Sequence, residues 1–449
     1  MGFVGILLSL SLLIYFAYRG VSVIILAPLL ALLAVLMDAS LEMLPTYTEI
    51  FMTQMGGFIA KLFPMFLLGS IFGKLMERSG FAESISKGLV RSFGKSGALT
   101  AIVLACGLLT YGGVSAFVVC FSMFPLARQA FTDARISHRL IPGSLALGAL
   151  TFSMTCFPGT VQVHNLIPMP YFKTTPFAAP TIGIIAGLCM MIFGLLWLNY
   201  RRKIEPYYEI KSSDHVKLSS PIPFWVAILP IIAVIVLNYI FSESAYNIGT
   251  WTFNSQKFQT IEASKYKGSW SMILSLFLAS LFIFALAFKT LYKNIAHSLE
   301  EGAKEAMLPA FNTGSEVGYG ATIAALAAFA SIKSGLIGLS PHNPLLTEWL
   351  SINVLAGITG SASGGLAIAL GAMGDSFRQL AQANHISMEY LHRIASMASG
   401  GLDSLPHNGA VITLLVVCKM THKDSYKDIF VVSVLIPLIV TLSTVLILS

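Results

Sequence analysis

Charged residues are scarce in this chain of 449 residues, since they make up 11% of it while hydrophobic residues make up 55%. So few charges cannot cover the surface of a soluble globule of this length, and apolar runs of about 20 residues recur throughout. Helices are expected in these runs, because a segment that spans a bilayer must satisfy its own backbone hydrogen bonds. The sequence therefore predicts an all-α, polytopic membrane protein embedded in a lipid bilayer.

Metal-ligand spacings and enzyme motifs are lacking as well. The 5 cysteines lie in or beside apolar stretches without a Cys-x-x-Cys pair, so neither a disulfide framework nor a zinc site is expected. There is no Gly-x-x-x-x-Gly-Lys phosphate loop, no His-Glu-x-x-His motif, no dinucleotide fingerprint after a strand and no nucleophile elbow. The sequence thus predicts a protein that is not an enzyme, with no metal, no cofactor and no ATP site.

The net charge of +7 could suggest a nucleic-acid partner, but the basic residues are distributed as in a membrane protein. If Arg19 is cytoplasmic, most of the 28 Lys and Arg fall in cytoplasmic connections, so no nucleic acid is needed to explain the charge. The basic region 201–220 is predicted to be a cytoplasmic linker between a first transmembrane unit, 1–200, and a second, 221–449. The predicted spans are residues 2–18, 21–37, 58–76, 178–200, 221–241, 269–288, 309–332 and 428–448.

Two further apolar segments are too short to cross the membrane twice. Segment 98–127 has basic residues on both flanks, so both of its ends are expected on the cytoplasmic side, and its length cannot span a core of ~30 Å in each direction. A re-entrant helical hairpin that turns at Gly112–Ser115 is the prediction. Segment 345–373 is predicted to form a second hairpin, which turns at Gly360–Gly365 and enters from the opposite side.

A duplicated pattern relates the two halves of the chain. His138 and Arg139 precede an apolar helix that is predicted to break at Pro158, and His392 and Arg393 precede one predicted to break at Pro406. The charge distribution places Arg139 inside and Arg393 outside, as interface anchors, so the halves are predicted to be inverted repeats. Five matched residues carry the same spacing in both halves: Pro64, Phe66, Gly69, Ser70 and Gly73 match Pro309, Phe311, Gly314, Ser315 and Gly318.

Uncharged polar residues gather at the hairpin tips and at the breaks. Glycines let a backbone turn and approach a ligand, and a half-helix that begins at a break offers free N–H groups and a positive dipole end to an anion. One copy alone would suggest only close helix packing or a proline kink, but two symmetric copies favour a binding site. The predicted substrate-binding residues are Gly113, Ser115, Thr160, Asn165, Gly360, Ser361, Ser363, His407 and Asn408.

Ionisable residues inside the predicted spans are candidates for ion coupling, because a charge at the bilayer centre costs about 2.5–3.5 kcal/mol even on lenient scales. His407 and Asp403 lie close together at the second break, where they could share a proton, and Glu316 adjoins the matched Ser315. An ion pair or a water-facing position remains open for each of these three residues. No Lys or Arg falls at the tips or breaks, which favours a singly charged carboxylate as substrate.

Three stretches of the chain resemble the gluconate:proton symporter family of the ion transporter superfamily. They are Tyr111–Phe117, the region from Arg139 through the Phe157-Pro158-Gly159-Thr160 break to Phe172, and Leu405–Gly409. The resemblance covers nearly the whole chain and implies two inverted repeats, an inner-membrane location, proton-coupled uptake of an organic acid and a homodimer. The first break departs from the His-Pro-Gly-rich break of the gluconate carriers. In this respect the chain is similar to the 3-hydroxybutyrate permease-like branch, so a small hydroxy-monocarboxylate is the preferred substrate.

Other functions also suit the pattern. Backbone carbonyls at the tips and breaks could bind Na⁺ instead of assisting proton transfer, which would make the chain a sodium-coupled carboxylate symporter. Opposed hairpins can also line a passive anion channel. A scaffold that transports nothing would have little reason to keep two polar breaks at membrane depth.

Overall fold

A computed structural model describes residues 1–19, 21–210, 222–253, 257–258, 261–331, 334–335, 343–406 and 408–449. Within those ranges the chain is helical and contains no strand, as the sequence predicts. The predicted site residue His407 lies outside the described residues. The second half of the predicted linker, from residue 211 onward, also lies outside them, and the helix before it continues to Ile204.

In the described ranges, the first half of the chain contains twelve α-helices, several of them short and joined end to end. Short π-helical turns at Thr46–Met52 and Leu147–Thr151 continue the helices next to them, and a 3₁₀ turn lies at His138–Leu140. The helices are α1 Gly2–Tyr18, α2 Val23–Asp38, α3 Met43–Pro45, α4 Thr53–Arg78, α5 Phe81–Phe93, α6 Ala98–Tyr111, α7 Ala116–Asp133, α8 Ile141–Ala146, α9 Phe152–Thr155, α10 Val163–Leu166, α11 Pro168–Phe172 and α12 Pro180–Ile204.

The described part of the second half is helical as well. Its 3₁₀ turns lie at Ile248–Thr250 and Ala263–Tyr266, and a π-helical segment, Val431–Leu435, joins its last two helices. The helices within its described ranges are α13 Phe224–Ser242, α14 Lys267–Leu286, α15 Phe288–Leu291, α16 Ile295–Ala325, α17 Pro344–Thr359, α18 Ala362–Ala383, α19 Met388–Ser399, α20 Gly409–Val417, α21 His422–Phe430 and α22 Ile436–Leu448.

Five helical segments in the described ranges are long and apolar enough to cross a membrane, and α1, α2 and α6 are shorter apolar helices. The sequence predicts most of these positions, but two boundaries differ. The segment predicted at 58–76 begins as early as Met43, so residues 43–57 before it are helical as well. The five segments are Met43–Arg78, Pro180–Ile204, Phe224–Ser242, Ala263–Leu286 and His422–Leu448.

The bounds also differ for the span predicted at 309–332, because the helix that contains most of it, α16, begins at Ile295 and ends at Ala325. The backbone becomes extended at Leu326, and the Asp38 carboxylate then accepts hydrogen bonds from the N–H groups of Ala327 and Ala328, at 3.2 and 3.3 Å. A carboxylate that accepts backbone N–H groups stabilises the start of a new turn. A side chain distant in sequence therefore helps to set the end of this helix.

The two helices that carry the matched residues, α4 and α16, pack against each other in antiparallel directions. A Cβ added to Gly302 would lie 2.9 Å from the Cα of Ile71, and one added to Gly314 would lie 2.9 Å from Cγ1 of Ile59. The contact partner moves backward along the chain as the glycine position moves forward. Small residues at such a crossing let helix backbones approach closely, which is a common packing device in membranes.

Replacing Gly318 by Ala is expected to destabilise this crossing by about 1–3 kcal/mol, the usual range for overpacking. The new Cβ would lie 2.9 Å from the backbone oxygen of Phe51, and that oxygen cannot move independently of its helix. Gly69→Ala is the matched control, because a Cβ at Gly69 has no atom within 4 Å. Thermal melting in detergent should show a lower midpoint for G318A alone. Equal midpoints for the two variants would contradict this packing.

Both predicted hairpins are present. Helices α6 and α7 pack side by side and are joined by a turn at residues 112–115, and α17 and α18 are joined at Gly360 and Ser361. The second arms are longer than predicted, since α7 continues to Asp133 and α18 to Ala383. The turn positions agree with the prediction because each turn contains a glycine in the left-handed region, Gly113 at φ 98° and Gly360 at φ 61°.

The two interrupted helices are also present, but their breaks begin earlier than predicted. The first helix ends with α9 at Thr155 and resumes with α10 at Val163, and the second ends with α19 at Ser399 and resumes with α20 at Gly409. The second break was predicted at Pro406 but includes Gly400 and Gly401. A Cβ at Gly400 would lie 2.8 Å from the Thr155 side chain, so the two interrupted helices meet where both of them end.

Candidate substrate and coupling site

Side chains of the first break are bound to the tip of the first hairpin. The Gln162 amide donates to the carbonyl oxygen of Thr110 at 2.6 Å, and the Thr160 hydroxyl donates to that of Tyr111 at 3.4 Å. These carbonyls lie in the last turn of α6, where helix carbonyls lack intrahelical partners. The Tyr111 hydroxyl in return donates to the Pro158 carbonyl at 2.7 Å. Hairpin and break therefore form one connected unit.

Asn165 closes the first break from inside. Its side chain is fully buried, and its amide nitrogen donates to the carbonyl oxygens of Thr160 and Pro176, at 3.0 Å each. Its amide oxygen lies 3.1 Å from Nε2 of His392. Because both amide hydrogens are used, the His392 nitrogen is the donor in that contact. His392 is fully buried as well.

Asn408 plays the corresponding part at the second break. Its amide nitrogen donates to the carbonyl oxygens of Gly360 at 2.9 Å and Asp403 at 2.7 Å. Its amide oxygen accepts from the N–H groups of Ala410 at 2.5 Å and Val411 at 3.0 Å, so it caps the N-terminus of α20. One amide thus connects the second hairpin tip, the break and the half-helix that follows.

The two halves repeat one arrangement. Asn165 and Asn408 each donate to the carbonyl oxygen of the residue five positions earlier, and each break is bound to the hairpin of its own half. The half-helices then cross to the other half: α10 and α11 pack on α18, and α20 packs on α7. A narrow cleft of about 10 Å³ lies at the second of these contacts, with Ala116 and Ala410 in its lining. The N-termini of α7 and α20 therefore border the same space.

The tip residues take different positions. A Cβ on Gly113 would lie 2.6 Å from Cγ2 of Val161, so this tip packs directly on the break. Ser115 caps α7 by position without a side-chain hydrogen bond to it, and its side chain is exposed. Ser361 caps α18, its hydroxyl oxygen accepting from the N–H of Gly364 at 3.0 Å, whereas Ser363 is half-buried on the same turn.

Two of the three predicted coupling residues lie at the second tip and break. Glu316 is 5% exposed, and a Cβ on Gly364 would lie 2.5 Å from its Oε1, so the carboxyl group faces the start of α18. Its Oε2 has no hydrogen-bond partner in the described ranges. Asp403 is 5% exposed and its Oδ1 accepts from the Ser404 hydroxyl at 3.2 Å. Two acidic groups are thus buried beside the proposed binding residues.

The sequence reasoning missed Glu348, on the first arm of the second hairpin. The side chain is fully buried, and neither carboxyl oxygen has a hydrogen-bond partner among the residues that the structure describes. A lone glutamate within an apolar hairpin arm is the sequence signal that could have found it. Burial without a partner strongly disfavours the ionised form of a carboxyl group.

Arg393 is not the interface anchor that the sequence predicts. It is fully buried, and its guanidinium donates to the carbonyl oxygens of Cys156 at 3.0 Å and Ala178 at 2.7 Å. The expectation that no Lys or Arg falls at the breaks was therefore wrong, because α19 brings this cation from the second half to the break of the first. Its repeat partner Arg139 does lie at the surface, where it pairs with Glu205 at 3.3 Å.

A polar vestibule leads toward the first break. Its volume is about 780 Å³. Thr174 lies in its lining, and the Thr174 hydroxyl lies 2.5 Å from Nδ1 of His392, which in turn contacts Asn165. The buried side chain of His392 therefore lies between the vestibule and Asn165 at the first break. Its charged lining residues are Lys173, Glu243, Lys265, Lys267, Arg378 and Glu389.

The protein combines apolar spanning helices with two hairpins and two interrupted helices, and polar side chains of these elements meet in its interior. This combination defines a membrane transporter rather than an enzyme. The profile of the GntP family permeases matches residues 1–449, and the chain belongs to this family. It is 42% identical over 451 residues to the uncharacterized transporter YxjC of Bacillus subtilis (strain 168), an alignment that covers 96% of this chain and 95% of that protein.

Two weaker similarities accompany that match. The low-affinity gluconate transporter of Escherichia coli (strain K12) is 30% identical over 172 residues, which are 36% of this chain and 35% of that protein. A crystal structure of the Alcanivorax borkumensis YdaH transporter is 12% identical, covers 89% of this chain and 88% of its own, and has a TM-score of 0.48. The family match over the whole chain, together with the full-length relative, identifies a multi-pass membrane permease.

Proposed function

We propose that this permease is a secondary active symporter that takes up a small organic acid anion together with protons across the inner membrane. The substrate class that we favour is a hydroxy-monocarboxylate such as 3-hydroxybutyrate or gluconate. Membership of the GntP family supports an organic acid, and the name of the Escherichia coli relative adds gluconate to the substrates to test. The choice of 3-hydroxybutyrate rests on the first break, where Phe157 precedes Pro158.

The observation that carries this proposal is the matching set of hydrogen bonds made by the side-chain amides of Asn165 and Asn408. Each amide joins separate segments of the chain, and we call each of these arrangements an amide clamp. Each clamp binds an interrupted helix of its own half, and each following half-helix packs on the other half. We propose that the halves, 1–200 and 221–449, are inverted repeats joined by a cytoplasmic linker at 201–220, and that the permease works as a homodimer. The antiparallel packing of α4 and α16 supports the inversion. Rocking one such half against the other would open the site to each side in turn.

Uptake into proteoliposomes tests the proposal. With radiolabelled gluconate or 3-hydroxybutyrate outside, an inward proton gradient clamped with potassium and valinomycin should drive accumulation above equilibrium. Dissipating that gradient with an uncoupler should reduce uptake to simple equilibration. Accumulation that needs an inward sodium gradient instead would make the permease a sodium-coupled carrier. Equilibration without accumulation under either gradient would favour a passive anion channel and contradict the symport proposal.

Replacing Glu316 by Gln or Asp403 by Asn is expected to separate exchange from coupled uptake. If one of these buried carboxyl groups carries the coupling proton, its neutral amide should still permit counterflow but should lower proton-driven accumulation about tenfold or more. His407→Gln belongs in the same set, because His407 lies close to Asp403 in the sequence. Counterflow and gradient-driven uptake should be measured on the same vesicles. Normal coupled uptake in all three variants would show that the proton is carried elsewhere, and Glu348→Gln would then be the next variant.

A further inference from the structure

Arg393 holds a full positive charge inside the protein. The residue is 0% exposed, and its guanidinium donates to the carbonyl oxygens of Cys156, Pro176 and Ala178. These bonds use every guanidinium N–H group except one on Nη1, given the donors that arginine carries. Backbone carbonyls lower the cost of burial, but they carry no net charge.

The charge of Arg393 has no carboxylate within ion-pair distance in the part of the chain that the structure describes. Glu389, one turn earlier on α19, uses its Oε2 to accept from the N–H of Ala179 at 3.0 Å. A buried ion without a counter-ion costs several kcal/mol. A ligand that brings a negative charge to this place would recover much of that cost.

The repeat provides a comparison inside the same chain. Arg139 occupies the matching position in the first half, but it pairs with Glu205 at 3.3 Å and stacks on the Tyr208 ring at 5.0 Å. Its side chain is 33% exposed. One arginine of the pair thus has an ion-pair partner near the surface, while the other is buried with no carboxylate at ion-pair distance among the described residues.

The location of Arg393 connects its charge with the proposed site. Its Nη2 and the Asn165 amide both donate to the Pro176 carbonyl oxygen, at 3.4 and 3.0 Å. The glycine at 183 leaves room for the guanidinium, since a Cβ there would lie 2.4 Å from the Cys156 oxygen and 3.1 Å from Nε of Arg393. The cation is therefore held in one place beside the first break.

We propose that Arg393 supplies the fixed positive charge that balances the carboxylate of the transported anion at the first break. This inference rests on the proposed function, in that the substrate is an organic acid. One uncompensated guanidinium matches one carboxylate, so the site prefers singly charged acids over di- and tricarboxylates. Dipole ends and hydroxyl groups then orient the rest of the substrate.

Binding to the purified full-length permease tests this role. Gluconate and 3-hydroxybutyrate are the anionic probes, and their primary amides are neutral probes of nearly the same shape. Arg393→Gln is expected to weaken binding of the acid about tenfold or more, the range of a charge-assisted interaction, and to leave amide binding within about twofold of wild type. Arg139→Gln is the matched control and should change neither. Arg393→Lys should retain most of the preference for the acid.

Several outcomes would overturn the inference. Wild-type acid binding by R393Q would do so, and so would an equal loss of acid and amide binding, which would indicate a purely structural role. If R393Q does not fold, R393K provides the test, because a buried lysine loses its proton at high pH while arginine does not. Relative to wild type, the acid-to-amide preference of R393K should fall as the pH rises, and an unchanged preference would contradict the role. Failure of the wild type to bind or transport either acid would instead count against the proposed function.

Discussion

Asn408→Asp is expected to abolish transport and to lower the thermal stability of the permease, although the two side chains have nearly the same shape. The amide nitrogen of Asn408 donates to two carbonyl oxygens, the buried one of Asp403 and the part-buried one of Gly360. A carboxylate cannot donate, so an oxygen would face both carbonyls. Leaving a buried polar group unsatisfied costs about 1–3 kcal/mol. With two carbonyls affected, the second hairpin should detach from the break.

The measurements are the melting midpoint in detergent and initial uptake into proteoliposomes at equal protein density. Asn343→Asp is the matched control, because Asn343 also caps a helix by accepting from the N–H of Leu346 at 3.0 Å. An aspartate keeps that acceptor and loses only the exposed hydrogen bond that the Asn343 amide donates to the Ser449 hydroxyl at 2.6 Å, so N343D should remain close to wild type. Asn165→Asp should resemble N408D, since Asn165 donates to two carbonyls in the same way. Wild-type uptake in N408D would mean that the clamp is not needed for transport.

Gly365→Ala is expected to force the two arms of the second hairpin apart. An added Cβ would lie 2.2 Å from the backbone nitrogen of Ala356, 2.3 Å from its Cα and 2.7 Å from the carbonyl carbon of Leu355. All three are backbone atoms, so no rotamer change can relieve the contact. Overpacking usually costs about 1–3 kcal/mol, and a clash with backbone alone should reach or exceed the upper end of this range. Uptake should fall at least about tenfold.

Gly409→Ala is the control for this substitution. Gly409 begins α20 next to the second break, and a Cβ there would have no atom within 4 Å. We expect G409A to fold and transport like wild type. Melting curves and uptake should be compared for the two single variants. If G365A is as stable and as active as G409A, the close contact between the two hairpin arms is not needed for folding or transport. That result would contradict the prediction.

The matched arginines show how a repeated sequence can serve two purposes. His138-Arg139 and His392-Arg393 look alike in sequence, but the first pair lies where a helix begins and the second lies in the middle of α19. Arg139 has a carboxylate partner, Glu205, at the end of α12. Arg393 instead donates to the carbonyl of Cys156 in the first break and to that of Ala178 just before α12. The sequence pattern predicted equal roles because the partners of both arginines lie far away along the chain, and a local pattern does not show which partner each arginine contacts.

Several features followed from local sequence. Low charge and long apolar runs are sufficient for a multi-pass helical protein, because a bilayer admits helices whose backbone is satisfied within each segment. The turn of the first hairpin could be located because Gly113 permits a positive φ that other residues rarely adopt. Pro158 and Pro406 indicated the breaks for a similar local reason, since proline lacks the N–H that a helix needs.

The tertiary structure decided how these elements meet. It showed that the second break begins at Gly400 rather than at Pro406, because the ends of the two interrupted helices pack together. It placed Glu348 and Arg393 in the interior, where burial and the choice of partner depend on contacts between distant segments. By itself the sequence determined the membrane class, the hairpin turns and the presence of two breaks, since each depends on residues that are neighbours in the chain. Only the fold decided which charges remain uncompensated, because a charge is balanced by whatever lies next to it in space.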